Sequence, residues 1–126
     1  MATHKLTPPL TEAQVRALRV DDTVTLQGTL FGIRDATQIA LFDRDRTTRF
    51  DLAGHAVIHT APNVRKVAPS AEFPAGYAPL CIGTTTSARM ERFTRPLLER
   101  CGVRLIIGKG GLGSGSLAAF AEWGGA

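Results

Sequence analysis

Ile82-Gly83-Thr84-Thr85-Thr86-Ser87-Ala88-Arg89 is the stretch that decides the fold class. Leu80-Cys81-Ile82 reads as a minimal buried strand, Gly83 as a sharp turn, and residues 87–100 as a helix with Met90, Phe93, Leu97 and Leu98 on one face. A second stretch repeats the plan. The strand at residues 103–107 runs into Gly108-Lys109-Gly110-Gly111-Leu112-Gly113-Ser114-Gly115, and Ser116 is positioned to cap a last helix reaching Trp123. Strands that end in glycine and polar groups and then enter helices indicate an α/β domain, a sheet flanked by helices. Ligands of such sheets sit at the carboxyl ends of the strands. Helix N–H groups point outward there and favour anions.

The rest of the chain agrees with that class. Thr11-Glu12-Ala13-Gln14 has the form of a capping box opening a short helix through Leu18. Residues 23–30 alternate β-branched or apolar with polar residues, the pattern of a strand. Asp35 is an expected N-cap for a helix through Phe42, and residues 43–49 form a charged solvated loop. Ala56-Val57-Ile58-His59 is a short apolar strand. Four prolines between residues 62 and 79 predict an irregular loop. Pro96 is expected to kink or divide the helix around it, with Gly102 closing its end. The 126 residues are expected to form one domain, residues 1–126.

Composition narrows the function classes. The net charge of +4 comes from 15 Lys and Arg against 11 Asp and Glu. The basic residues are scattered, and the eight aromatics form no stacking motif, so nucleic acid is not the expected partner. A small anionic substrate or an acidic partner subunit accounts for the excess. No apolar run is long enough to span a membrane, the N-terminus lacks a signal-peptide core, and the cytoplasm is the expected compartment. Cys81 and Cys101 are too few and too far apart for a disulfide framework or an iron–sulfur site, and are expected to be buried small hydrophobes. His55 and His59, four apart on a strand, are too distant to share one ion, so no metal site is assigned.

Three cations stand at strand ends. Arg89 lies in the first turn after a hydroxyl-rich helix mouth and offers a forked contact for a carboxylate, although a plain Thr/Ser cap with a solvated Arg fits the pattern equally. Lys109 follows a strand between glycines. Its spacing is not that of a nucleotide-binding P-loop, because Lys109 precedes most of the glycines and is followed by Gly110. It can approach a bound anion or be an exposed loop lysine. Arg34 follows a strand and precedes Asp35, a position that is also common for surface arginines.

At these residues the sequence becomes similar to a known family. Gly28-Thr29-Leu30-Phe31-Gly32-Ile33-Arg34-Asp35, Gly83-Thr84-Thr85-Thr86-Ser87-Ala88-Arg89-Met90 and Gly108-Lys109-Gly110 resemble, in order, three segments of class I fumarase C-terminal domains. Pro62-Asn63-Val64-Arg65-Lys66 and the Gly-Lys-Gly-Gly-x-Gly form look closer to L(+)-tartrate dehydratase β subunits. The resemblance implies a swivelling β/β/α domain. It implies a β subunit of a hydro-lyase acting on a small dicarboxylate, in a heteromer with an α subunit whose cysteines hold a 4Fe-4S cluster. This chain would bind no cofactor itself. Carried over residue by residue, Arg34, Arg89 and Lys109 bind substrate carboxylates, with Gly108 beside them. Thr85 is the candidate base, Thr86 a supporting contact, and a partner carboxylate the competing base. Thr84 stands where the family usually has Pro, and Gln38 where His is common. Family members continue beyond the position of Ala126, so the chain is read as truncated, as a shortened relative, or as a subunit whose core the partner completes. The alternative function is a non-catalytic anion- or partner-binding module that keeps the fold.

Overall fold

The computed structural model describes residues 1–61 and 63–126. Among the described residues, seven short strands form three small sheets with four α-helices around them, a mixed α/β architecture. Strand β1 (Thr3–Leu6) pairs in parallel with β2 (Thr23–Leu26), and helix α1 (Glu12–Arg16) lies in the crossover between them. The capping box forms as expected: the Thr11 hydroxyl accepts from Gln14 N–H at 3.2 Å, and Gln14 Oε1 accepts from Thr11 N–H at 2.9 Å. The strand expected over residues 23–30 is interrupted. Gly28 takes φ +95°, and pairing resumes in β3 (Phe31–Ile33), in a different sheet.

The sheet that matters most is parallel, in the order β3, β4 (Ala56–His59), β7 (Leu105–Ile107). Side chains alternate across β4. Val57 joins one core cluster with Ile33, Leu97, Leu98 and Val103, while Ala56 joins the other with Leu6, Leu10, Val15 and Leu105. Burial on both faces explains why Ala56-Val57-Ile58-His59 reads as a continuous apolar run. It also fixes the side of His59, which shares the face of Val57 and is 1% exposed.

Several expectations are corrected. Asp35 is the first residue of α2 (Asp35–Gln38), not its cap; Arg34 is the cap residue, and no side chain caps there. The helix expected through Phe42 changes to a π-turn over Ile39–Asp43, closed by Arg44 N–H donating to Ile39 O at 3.1 Å. The proline-rich segment is not an irregular loop. It contains an antiparallel hairpin, β5 (Asn63–Lys66) with β6 (Tyr77–Cys81), and Pro79 sits beside its register shift, where a missing N–H is tolerated. Pro62, the first residue of that segment, lies outside the described residues. This hairpin also overturns the buried strand at residues 80–82. Leu80 and Ile82 are exposed, and so is Cys81, because the two-stranded sheet buries little beyond Ala78.

The helix expected around Pro96 is divided, as expected, with the break falling before the proline and not at it. A 3-10 turn over Ala88–Phe93 leads into α3 (Thr94–Cys101), and Pro96 falls in the first turn of α3, where N–H groups have no helical partner to lose. Gly102 ends α3 in the left-handed region, φ +71°, as expected. Helix α4 (Ser114–Trp123) begins two residues before the expected cap, Ser116. Ser116 is instead buried inside the helix, and Glu91 from the 3-10 turn accepts from Gly113 N–H at 2.8 Å and Ser116 N–H at 2.9 Å. The Ser116 hydroxyl adds a bond to Glu91 at 2.6 Å and holds Thr94 at 2.7 Å. A carboxylate from a neighbouring element thus does the work of the cap.

Candidate active site

The three parallel strands end at one edge, followed by Arg34 after β3, Thr60 after β4, and Gly108-Lys109 after β7. Residues 84–87 cross that edge. Thr84 bridges Thr60 in antiparallel fashion, and Thr86 bridges Lys109 in parallel. Thr85 N–H donates to His59 O at 2.7 Å, and Ser87 N–H donates to Lys109 O at 2.9 Å. The Thr60 hydroxyl donates to Gly83 O at 2.5 Å. The hydroxyl-rich segment is thus stitched to the carboxyl ends of β4 and β7.

Side chains close the other half. Arg89 donates from Nη2 to Thr85 Oγ1 at 3.0 Å, and its Nη1 lies 3.4 Å from Asp35 Oδ2. Arg34 Nε lies 3.8 Å from Asp35 Oδ1, too long for a hydrogen bond. Asp35 therefore sits between two guanidinium groups. The structure brings Arg34, Thr85 and Arg89 together through side-chain contacts, and attaches Thr86, Gly108 and Lys109 to them through the backbone. Three cations against one carboxylate leave this edge positive, which favours a small diacid over a neutral ligand.

Beneath the edge lies a histidine to which the sequence assigns no metal site. His59 Nδ1 is 2.9 Å from Ser87 Oγ, and Ser87 Oγ accepts Lys109 N–H at 3.1 Å. Both side chains are buried. Burial holds the imidazole below its ordinary pKa of 6.5, against an upward pull from the Asp35 carboxylate. Gly108 leaves space for Ser87: a Cβ at Gly108 would lie 1.8 Å from Ser87 Oγ and 3.1 Å from His59 Nδ1. The signal in the sequence was a histidine closing an apolar strand, which marks burial but not its partners.

An apolar cavity lies elsewhere. About 670 Å³ opens between β3, β4 and the β5–β6 hairpin, walled by apolar groups such as Phe31, Phe50, Ile58 and Tyr77. None of Arg34, Thr85, Thr86, Arg89, Gly108 or Lys109 lines it. Its walls offer little to an anion, so the hydroxyls and cations of the sheet edge are the better candidate for polar chemistry.

Among the described residues no three His, Cys, Asp or Glu side chains are grouped as metal ligands. Cys81 is exposed on the hairpin, and Cys101 is half-buried at the end of α3, where burial pushes its thiol up against the opposing pull of Arg100. Two such thiols do not fit an iron–sulfur cluster. No helix of the described residues is long and apolar enough to cross a membrane.

Comparison with known proteins assigns the chain to a family. The chain is 40% identical over 108 residues to L(+)-tartrate dehydratase subunit beta of Shigella sonnei (strain Ss046), a match covering 86% of this chain and 51% of the relative. It is 34% identical over 120 residues to a putative fumarate hydratase class I of Geobacillus stearothermophilus, covering 95% of this chain and 22% of that protein. A putative L(+)-tartrate dehydratase subunit beta of Methanocaldococcus jannaschii is 30% identical over 118 residues, covering 91% of this chain and 57% of the relative. The chain thus spans about half the length of the tartrate dehydratase subunits it matches. The model of the fumarase C-terminus family matches residues 2–126. With its three family-like segments meeting at one sheet edge, the chain belongs to the fumarase C-terminus family.

Proposed function

We propose that residues 1–126 form one domain acting as the β subunit of a cytoplasmic hydro-lyase, which dehydrates a small hydroxy-dicarboxylate of the malate or tartrate type. The observation that carries this reading is the Arg89–Thr85 contact at 3.0 Å, a cation set against a hydroxyl at the positive edge of the sheet. The similarity to tartrate dehydratase β subunits and to a putative fumarate hydratase supports the same class.

In this reading Arg34, Arg89 and Lys109 bind the carboxylates of the substrate. Guanidinium groups give planar, forked contacts, and the ammonium acts as a point charge. The Thr86 hydroxyl and the Gly108 backbone orient the diacid. Thr85, as its alkoxide, takes the proton from the carbon next to a carboxylate, and the electron pair of that C–H bond forms the C=C bond as the C–O bond to the departing hydroxyl breaks. A threonine alkoxide is costly in water, and the donor from Arg89 and the surrounding positive charge lower that cost. The 4Fe-4S cluster belongs to a partner α subunit, since the thiols of this chain do not fit it, and the partner completes the site.

The test is anaerobic co-expression with a cysteine-bearing α subunit, followed by assays on malate, fumarate and both tartrate enantiomers. An active brown complex is expected. A chain that binds no α subunit and remains a stable monomer would favour a non-catalytic anion-binding module. Within the complex, Thr85→Val should lower kcat by about 10²-fold or more, the scale of a general base, with little change in KM. A near-normal kcat would remove Thr85 from the chemistry.

A further inference from the structure

His59 is a junction. Its carbonyl accepts Thr85 N–H at 2.7 Å, while its ring holds Ser87, whose hydroxyl accepts Lys109 N–H. The two residues given chemical roles above are therefore tied to one buried histidine by its main chain on one side and its side chain on the other. We propose that His59 and Ser87 are positioning residues for Thr85 and Lys109: the neutral imidazole orients the Ser87 hydroxyl, and that hydroxyl fixes the Lys109 backbone at the sheet edge. This rests on the reading of Thr85 and Lys109 as substrate-facing groups.

The proton inventory makes the junction directional. A serine hydroxyl has one hydrogen to donate and lone pairs to accept with. Ser87 Oγ accepts from Lys109 N–H, and its own hydrogen is paired only when it goes to His59 Nδ1; we assign that direction, which puts the ring proton on Nε2, a buried nitrogen with no partner among the described residues. Protonating Nδ1 reverses this bond. The Ser87 oxygen can then accept from both neighbours, but its own hydrogen has no acceptor in a buried site, and a hydroxyl that turns to relieve this loosens its hold on the Lys109 amide. The charged groups bearing on the ring are the Asp35 carboxylate of α2, with Arg34 and Arg89 held against it, and Lys109 beyond Ser87. Because burial outweighs Asp35, the neutral ring persists through neutral pH, and the ordered arrangement is lost only as pH falls through the ring's lowered value.

Gly108 belongs to the same device. The close approach of its backbone is what lets Ser87 Oγ reach both His59 and the Lys109 amide.

The first test uses the full chain and nuclear magnetic resonance across pH. The Lys109 amide should titrate together with the His59 ring, with a midpoint below 6.5, and the ring nitrogens should report the Nε2–H tautomer. Ser87→Ala should abolish the response of Lys109. If that variant does not fold, His59→Asn, whose amide oxygen replaces Nδ1 as acceptor but cannot be protonated, should abolish it instead. A Lys109 amide indifferent to His59, or a proton on Nδ1 at neutral pH, would overturn the proposal.

The second test uses the complex with the α subunit. His59→Leu should lower kcat by about tenfold or more with little change in KM, as loss of orientation does. His59→Asn should recover most of that loss and remove the acid inflection of the wild-type profile. Equal damage from Leu and Asn, with the acid inflection intact, would count against positioning. An inactive complex with the Lys109 coupling preserved would count against the hydro-lyase reading and not against the junction.

Discussion

Gly108→Ala isolates a single spatial requirement. Gly108 is not among the residues with positive φ, so alanine meets no backbone penalty there. What it meets is Ser87: the added methyl would lie 1.8 Å from Oγ and 3.2 Å from Cβ, with His59 Nδ1 at 3.1 Å. The hydroxyl cannot stay. If Ser87 turns away, its bonds to His59 and to Lys109 N–H are both lost inside the protein, at about 1–3 kcal/mol for each buried group left without a partner. If the strand end moves instead, overpacking costs about 1–3 kcal/mol. The first route gives a loss of about 2–6 kcal/mol and the second about 1–3 kcal/mol, in both cases a sizeable share of the roughly 5–15 kcal/mol that holds a domain folded. Urea unfolding followed by circular dichroism measures it as a lower midpoint with an unchanged slope. A midpoint corresponding to less than about 0.5 kcal/mol of loss, the scale of neutral surface changes, would refute the claim that Gly108 is present for this contact.

Leu97 has no exposed surface and packs in the cluster around Val57, so Leu97→Ala should cost about 2–5 kcal/mol in the same unfolding assay; a loss below about 1 kcal/mol would mean the core relaxes around the gap. Glu91→Gln should destabilise α4 by roughly 1 kcal/mol, toward the low end because Glu91 is partly solvated. The Ser116 hydroxyl and Gly113 N–H hold the Glu91 carboxyl below its ordinary 4.5. Its contribution is therefore complete above pH 4.5 and is lost as pH falls through the lower folded value, so the stability gap between Glu91→Gln and wild type should close in acid. A gap independent of pH would assign the loss to packing instead.

The expected anion site at the start of α4 also changes meaning. Helix N-termini attract negative charge, and here the charge is supplied by Glu91 of the same chain. The cations near residues 84–89 are only partly met in this way, because the single Asp35 carboxylate is shared between Arg34 and Arg89. Arg89 is shared between Asp35 and Thr85, and its Thr85 contact faces the strand ends. The contrast explains why two stretches with one plan in the sequence differ in what they offer a ligand.

Local patterns were enough for the elements whose cause is local. The Thr11 capping box and the Gly102 helix end depend on neighbours within a few residues, and the sequence by itself determined them, along with the α/β class; the Ala56–His59 strand was legible because burial on both faces leaves a continuous apolar run. The hairpin at β5–β6 was missed because its pairing joins residues more than ten apart through prolines that read as breakers. Cys81 looked buried because an apolar neighbourhood in sequence does not reveal a two-stranded sheet with open faces. Ser116 looked like a cap because the acceptor that replaces it, Glu91, comes from 22 to 25 residues away. The joining of His59, Ser87, Gly108 and Lys109 was decided only by the tertiary structure. Hydrogen bonds act over about 3 Å, and no spacing along a chain records which strand ends a parallel sheet will bring that close.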